Sequence, residues 1–301
     1  MLNNALALVI NEKLERDLLV LPTLPNVALK IREATENPNT NVTAMAELIT
    51  LDPALSARII KISNSAFMGR QVKVQTVAQA VTRIGLSQIK NITTALAIEQ
   101  LFEAQHPLIT KLMDRALKDI VNVTTTALAA LTLYQTNSQD KRLNIDTMTL
   151  AAMVHNIGYL PILAEAERNP EVFANQKFID TLSPAVVSAV STKIIAQWEF
   201  DAMFAQISRH ALDSQVTNTH VDYIDFIRLA YLLNGKLDND IAESVRNNLQ
   251  LKKITEDFSK DVLSAVKYLK TRSDINAKEI GLIGHSEGGI IAPLVANQTK
   301  D

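Results

Sequence analysis

Apolar residues recur at helical spacing from the start of the chain. Leu2, Leu6, Val9, Ile10, Leu14 and Leu18 form one stripe, with Asn3, Asn11, Lys13 and Arg16 off it, the pattern of a helix with one buried face. Leu21-Pro22-Thr23-Leu24-Pro25 ends that helix, because proline lacks an amide proton and pushes the preceding residue out of the α region. Asp52-Pro53 predicts a helix start, with a carboxylate to cap free amides and proline where no amide is needed; Ser183-Pro184 repeats the device. Val77, Ala80, Val81 and Ile84 ahead of Gly85 predict a helix ending at the glycine, with Leu86-Ser87 opening the next one toward Phe102. Two long helical patterns cover 108–134 and 145–166, and the polar stretch 135–142 between them predicts an internal boundary. No period-2 pattern of useful length precedes residue 278, so the expectation is an all-α bundle of about a dozen helices. Its halves would be about 1–135 and 143–257.

Composition narrows the function classes. Of 301 residues 47% are hydrophobic and 21% charged, which suits a folded globular chain. Lys+Arg number 30 against 32 Asp+Glu, a net charge of −2, so no overall positive field draws in nucleic acid, and aromatics at 5% make a base-stacking platform a poor expectation. The absence of cysteine excludes disulfides and Cys-ligated metal sites. The longest mainly apolar stretch, 148–157, carries Thr149, His155 and Asn156 and falls short of the ~20 residues of a membrane span. Glu12, Glu15 and Asp17 lie near the start in place of a basic signal-peptide region. No membrane insertion and a cytoplasmic location are expected.

Residues 21–31 (LPTLPNVALKI), 49–67 (ITLDPALSARIIKISNSAF) and 80–92 (AVTRIGLSQIKNI), in that order and spacing, resemble the HDOD family, the HD-related output domain of bacterial signalling proteins. The resemblance covers roughly 15–250 and rests on Pro22, Pro25, Asp52, Pro53, Asn64, Ser65 and Gly85. It implies a helical fold related to the HD phosphohydrolases, in which a His, an adjacent His-Asp pair and a later Asp hold divalent metals that activate water. This chain departs from that pattern. The adjacent pair is His155-Asn156, the first His position reads Asn122, a further His position reads Val187 or Ser191, His210 keeps a family histidine, and the late Asp reads Tyr231. An amide oxygen is a weak ligand for a hard dication. The expectation is a vestigial pocket with no metal and no cofactor, in which His155 and Asn156 form a hydrogen-bonded core pair, while Asn64-Ser65 caps a helix end.

Glycine changes the picture near the end of the chain: Gly281, Gly284, Gly288 and Gly289 crowd into a chain that has only 8. Gly284-His285-Ser286-Glu287-Gly288 reads G-x-S-x-G after a short apolar run, 279–283, and before a helical pattern, so residues 258–301 resemble the strand-turn-helix nucleophile elbow of α/β-hydrolases. That group needs an acid and then a histidine downstream of Ser286, and no histidine follows it. An incomplete fragment joined near 255–262 is expected, with Ser286 not activated. The whole reads as a non-catalytic bacterial signalling module that works through protein contacts. The alternatives are a metal-dependent HD-type phosphohydrolase and, second, a serine hydrolase using Ser286.

Overall fold

The computed structural model describes residues 4–64, 73–100, 104–138, 140–213, 220–252 and 254. Among them the chain is all helix, without a strand. In order the helices are α1 (Ala5–Glu15), α2 (Asn26–Glu36), α3 (Val42–Thr50), α4 (Pro53–Ser63), α5 (Val77–Ile84), α6 (Leu86–Gln100), α7 (Pro107–Ser138) and α8 (Ile145–Val154). After these come α9 (Tyr159–Glu167), α10 (Pro170–Phe173), α11 (Gln176–Asp180), α12 (Pro184–Gln197), α13 (Ala202–His210), α14 (Tyr223–Leu233) and α15 (Asn239–Leu251). Ser65 and the hydrolase-like stretch 258–301 with Ser286 lie outside the described residues.

Capping chemistry sets most of the boundaries. The Asp52 carboxylate accepts from the amides of Ala54 (2.9 Å) and Leu55 (3.0 Å), with Pro53 opening α4, so two of the unpaired amides of the first turn are satisfied. Ser183 caps α12 ahead of Pro184 in the same way. Gly85 ends α5 at φ +93°, a backbone region closed to most side chains, and α6 begins at the next residue. The Asn64 amide pairs with Val74 in both senses, Nδ2 donating to its carbonyl (2.8 Å) and Oδ1 accepting from its N–H (2.7 Å). It is more than a helix cap, since it ties the end of α4 to the approach to α5.

Two cores form. The smaller one packs α2 to α6 around Ile31, Met45, Ile49, Ile59, Val81 and Ile89. The larger gathers α1 and α7 onward around Ile10, Leu131, Met148, Ile157, Ile194, Trp198 and Phe226. Helices α2 and α6 face both. The division therefore does not fall at 135–142 as the polar pattern suggests. The helices on either side of that stretch, α7 and α8, pack on each other within the large core, and buried Gln135 near the end of α7 donates to the Leu143 carbonyl. Pro107–Ser138 and Ile145–Glu167 are long and apolar enough by composition to cross a membrane, and both supply residues to the large core. Pro22 and Pro25 sit in the link to α2. The Pro22 carbonyl accepts from the Trp198 indole N–H at 2.8 Å, and Arg32 donates to the Trp198 carbonyl and lies over the Phe200 ring.

The sequence pattern reads 145–166 as one helix, but it breaks at 155–158: the amides of Ile157, Tyr159 and Leu160 reach back three residues rather than four. The cause is the approach of α12. A Cβ on Gly158 would lie 2.5 Å from both the Ser191 amide nitrogen and the Val187 carbonyl oxygen, and the Gly158 N–H donates to Ser191 Oγ at 2.8 Å. Backbone on both sides leaves nothing flexible to yield. Gly158→Ala is expected to destabilise the fold by about 1–3 kcal/mol, the usual cost of overpacking. A denaturant midpoint unchanged from the parent would show that the two helices are not in this contact.

Candidate functional site

The turn between α8 and α9 carries His155 and Asn156, and Tyr231 of α14 comes to it from 76 residues away. His155 is 3% exposed. Its Nδ1 lies 2.8 Å from the Ala152 carbonyl oxygen, and its Nε2 3.0 Å from the Tyr231 hydroxyl, with the rings edge-on at 89°. A carbonyl can only accept, so Nδ1 carries the proton, and in the neutral imidazole Nε2 must then accept from the Tyr231 O–H. Burial holds the ring neutral by pushing its pKa down to about 4, against a smaller opposing effect of the Ala152 hydrogen bond. Burial also raises the Tyr231 phenol, so the hydroxyl keeps its hydrogen. Ser208 Oγ donates to the His155 carbonyl at 2.6 Å and completes the buried set.

Asn156 is half-buried and makes no side-chain hydrogen bond among the described residues, so the two neighbours are not a mutual pair: His155 is satisfied by Ala152 and Tyr231 instead. Asn156 stands between two cavities. One, of about 250 Å³, is lined by His155, Tyr231, Tyr159, Arg115, Asp119 and Lys236 among others. The other, of about 340 Å³, lies toward Ser183, Ser188, Ser208 and Arg209. In the first, Lys236 pairs with Asp119 at 2.6 Å. Tyr159 is pushed up to about 12, mainly by burial and then by the Asp180 carboxylate.

Of the residues singled out in the sequence, His155, Asn156 and Tyr231 come together around this cavity. Asn122 does not; it is exposed and lines a groove between α6 and α7. From α7 the cavity beside His155 is lined by Leu112, Arg115, Ala116, Asp119 and Ile120. Asn122 lies three residues past Asp119, and its side chain turns toward the groove. Only the i, i+4 placement of Arg115 and Asp119 beside Leu112 and Ala116 could have signalled the correct face. Val187 and Ser191 are buried behind Gly158, Ser191 Oγ donating to the Val187 carbonyl at 2.9 Å, and neither lines a cavity beside His155. His210 ends α13. Its Nδ1 is buried and has no partner among the described residues, and its carbonyl accepts from Arg228 at 2.8 Å.

The residues present do not fit a divalent metal. The imidazole lone pair is taken by a phenol hydrogen, Asn156 offers only an amide, Asp119 is neutralised by Lys236, and Asp180 accepts from Gln176. Among the described residues no three His, Asp or Glu side chains converge as a ligand set.

Comparison with known proteins places these residues in a wider group. The HDOD domain family matches residues 21–213. A crystal structure of a candidate metal-dependent phosphohydrolase from Shewanella amazonensis SB2B is 35% identical, covers 85% of this chain and 94% of its own, and superposes with a TM-score of 0.73. An HDOD domain protein with unknown function from Geobacter sulfurreducens shares the fold at 15% identity, with 88% and 97% coverage and a TM-score of 0.53. A candidate signal transduction protein from Marinobacter aquaeolei VT8 does so at 17%, with 86% and 66% coverage and a TM-score of 0.53. An uncharacterised Treponema pallidum protein is 35% identical over 72 residues, 24% of this chain and only 14% of that relative's length.

Two measurements check the His155 geometry. Tyr231→Phe strands Nε2 in the interior and is expected to cost about 1–3 kcal/mol. An unfolded histidine takes a proton near pH 6.5, whereas His155 resists until about 4. Its neutral burial is therefore compatible with the fold above about 6.5 and costs progressively more as pH falls toward 4, on the order of 3 kcal/mol in all. Chemical denaturation from pH 7 to 4 should show this slope in the parent and a shallower one in His155→Gln. Equal slopes would show that His155 titrates normally in the folded state.

Proposed function

The chain belongs to the HDOD domain family, and from that premise we propose that it serves bacterial signal transduction as a non-catalytic module, its helical body binding a protein partner. The observation that carries this reading is the His155–Tyr231 hydrogen bond, which occupies the one imidazole lone pair a metal would need. Asn156 and the Asp119–Lys236 pair support it, since the cavity already contains its own cation and offers no free carboxylate set. A net charge of −2 supplies no overall positive field to draw in nucleic acid, which favours a protein partner. A cytoplasmic location accords with long apolar helices that belong to a core.

A metal-dependent HD-type phosphohydrolase is the second reading, favoured by the name of the 35%-identical Shewanella relative. The two are separated by turnover of bis(p-nitrophenyl) phosphate with manganese, magnesium or zinc added to dialysed protein. The expected result is no hydrolysis above the metal blank, either in the parent or in Asn156→Asp. Turnover by the parent that disappears in His155→Ala would establish the phosphohydrolase.

The body is further proposed to end near residue 257, with 258–301 an appended piece in which Ser286 has no downstream base. Ile254 is 3% exposed and is the last described residue, and its amide donates to the Leu249 carbonyl at 3.0 Å. A chain ending at Ile254 should melt within a few degrees of the full chain, and labelling by a fluorophosphonate should not occur at Ser286. Collapse of the shortened chain, or stoichiometric labelling, would make the tail an integral catalytic element.

A further inference from the structure

Helix α14 is apolar over most of its length, with Ile224, Phe226, Ile227, Leu229 and Ala230 buried. Three buried polar residues interrupt it at a spacing of three, Asp225, Arg228 and Tyr231, which places them within about 120° of the helix circumference. Each is bonded to a different part of the fold. The Asp225 carboxylate, fully buried, accepts from the Lys252 ammonium at 2.7 and 2.8 Å, and the Lys252 side chain is 5% exposed. Arg228 donates to carbonyls at the end of α13, those of His210 at 2.8 Å, Ala211 at 3.1 Å and Asp213. Tyr231 donates to His155. Lys252 continues the last turn of α15, its amide donating to the Asn248 carbonyl at 3.2 Å. The main support of α15 is α14, and its Val245 and Leu249 are buried in the large core.

Apolar packing tolerates small slides, because the hydrophobic effect is non-directional, whereas hydrogen bonds weaken steeply with angle. The polar stripe therefore fixes how α14 is rotated and translated, and its three attachments share that one setting. The attachment at Asp225 is the costly one. Burial raises the pKa of its carboxyl, against the opposing hydrogen bonds of Lys252 and Asp222. Without Lys252 the carboxylate would be left in an interior that disfavours charge, so the first turn of α14 must move toward water or Asp225 must take a proton. Burial also lowers the Arg228 pKa, and the Asp225 charge is the main support against it.

We propose that α14 acts as a lever between the two ends of this stripe: docking of α15 through Lys252 and seating of Tyr231 on His155 are coupled, so that opening either end loosens the other. Displacement of Tyr231 from within the cavity thereby reaches α15, and release of α15 frees the His155 lone pair. The coupling is reciprocal by linkage. It is a property of the helices themselves and does not depend on whether the body binds a protein partner or hydrolyses a phosphodiester.

Nuclear magnetic resonance of the full chain at pH 7 tests it, with the His155 side-chain nitrogens assigned by their loss in His155→Gln. In Lys252→Met the amides of Val245 and Leu249 should exchange with deuterium at least about fivefold faster than in the parent, and the His155 Nε2 resonance should move from its parent position. Tyr231→Phe leaves Lys252 and Asp225 intact and should speed exchange at Val245 and Leu249 by a similar factor; this arm decides should Lys252→Met fail to fold. Ile59→Val or Ile59→Ala, in the small core and chosen to match these variants in melting temperature, should change neither readout. Unchanged α15 exchange in Lys252→Met would overturn the attachment through Lys252. A parent-like Nε2 resonance in a Lys252→Met protein whose α15 has lost protection would overturn the coupling. So would α15 exchange that Tyr231→Phe leaves unaltered or that the Ile59 variant accelerates equally.

Discussion

At Gly158 the backbones of two chain segments meet with no side chain between them. The Val187 carbonyl and the Ser191 amide of α12 occupy the space a Cβ would need, and the Ser191 hydroxyl takes the Gly158 N–H. This contact stops α8 from running on into α9, and the resulting turn is what brings His155 beside Tyr231 and leaves Asn156 facing the cavities. Ser191 suits the position because it is small and hydrogen-bonds within its own helix as well as across. An imidazole at 191 would need volume that the α8–α9 turn already fills.

The buried polar groups follow the same logic. A neutral histidine in an apolar interior must satisfy both ring nitrogens, and here a backbone carbonyl takes one and a phenol the other. The arrangement is electrically neutral. A metal centre built on the same turn would instead require anionic ligands to offset a dication, and the one acidic side chain lining that cavity from α7 is held by Lys236.

Much of the fold was legible in the sequence because its signals are local. Asp52-Pro53, Ser183-Pro184 and Gly85 mark helix ends through groups within four residues of each other, and the structure honours each. The errors came where tertiary contacts decide. Residues 135–142 look like a boundary by polarity alone, yet Gln135 is buried because it finds the Leu143 carbonyl. His155-Asn156 lies in an apolar helical pattern, and only α12 reveals the turn. Asn122 is on α7 as the pattern suggests, but it lines the groove beside α6 and not the cavity beside His155, a difference of helix face that depends on which neighbours α7 packs against. Leu18 continues the first apolar stripe and is nonetheless 59% exposed, because α1 has already ended at Glu15.

The tie between Pro22 and Trp198 has a spectroscopic consequence. Trp198 is the chain's only tryptophan, is 2% exposed, and gives its indole N–H to a carbonyl 176 residues earlier. Indole emission from this protein therefore does not report a local helix–coil event; it reports whether the chain's early proline-rich link has found the end of α12. A contact of such sequence separation closes late in folding, since its loop entropy must be met by contacts already formed. Intrinsic fluorescence and far-ultraviolet circular dichroism would thus follow different stages of assembly in the same sample, the first tracking long-range closure and the second helix content.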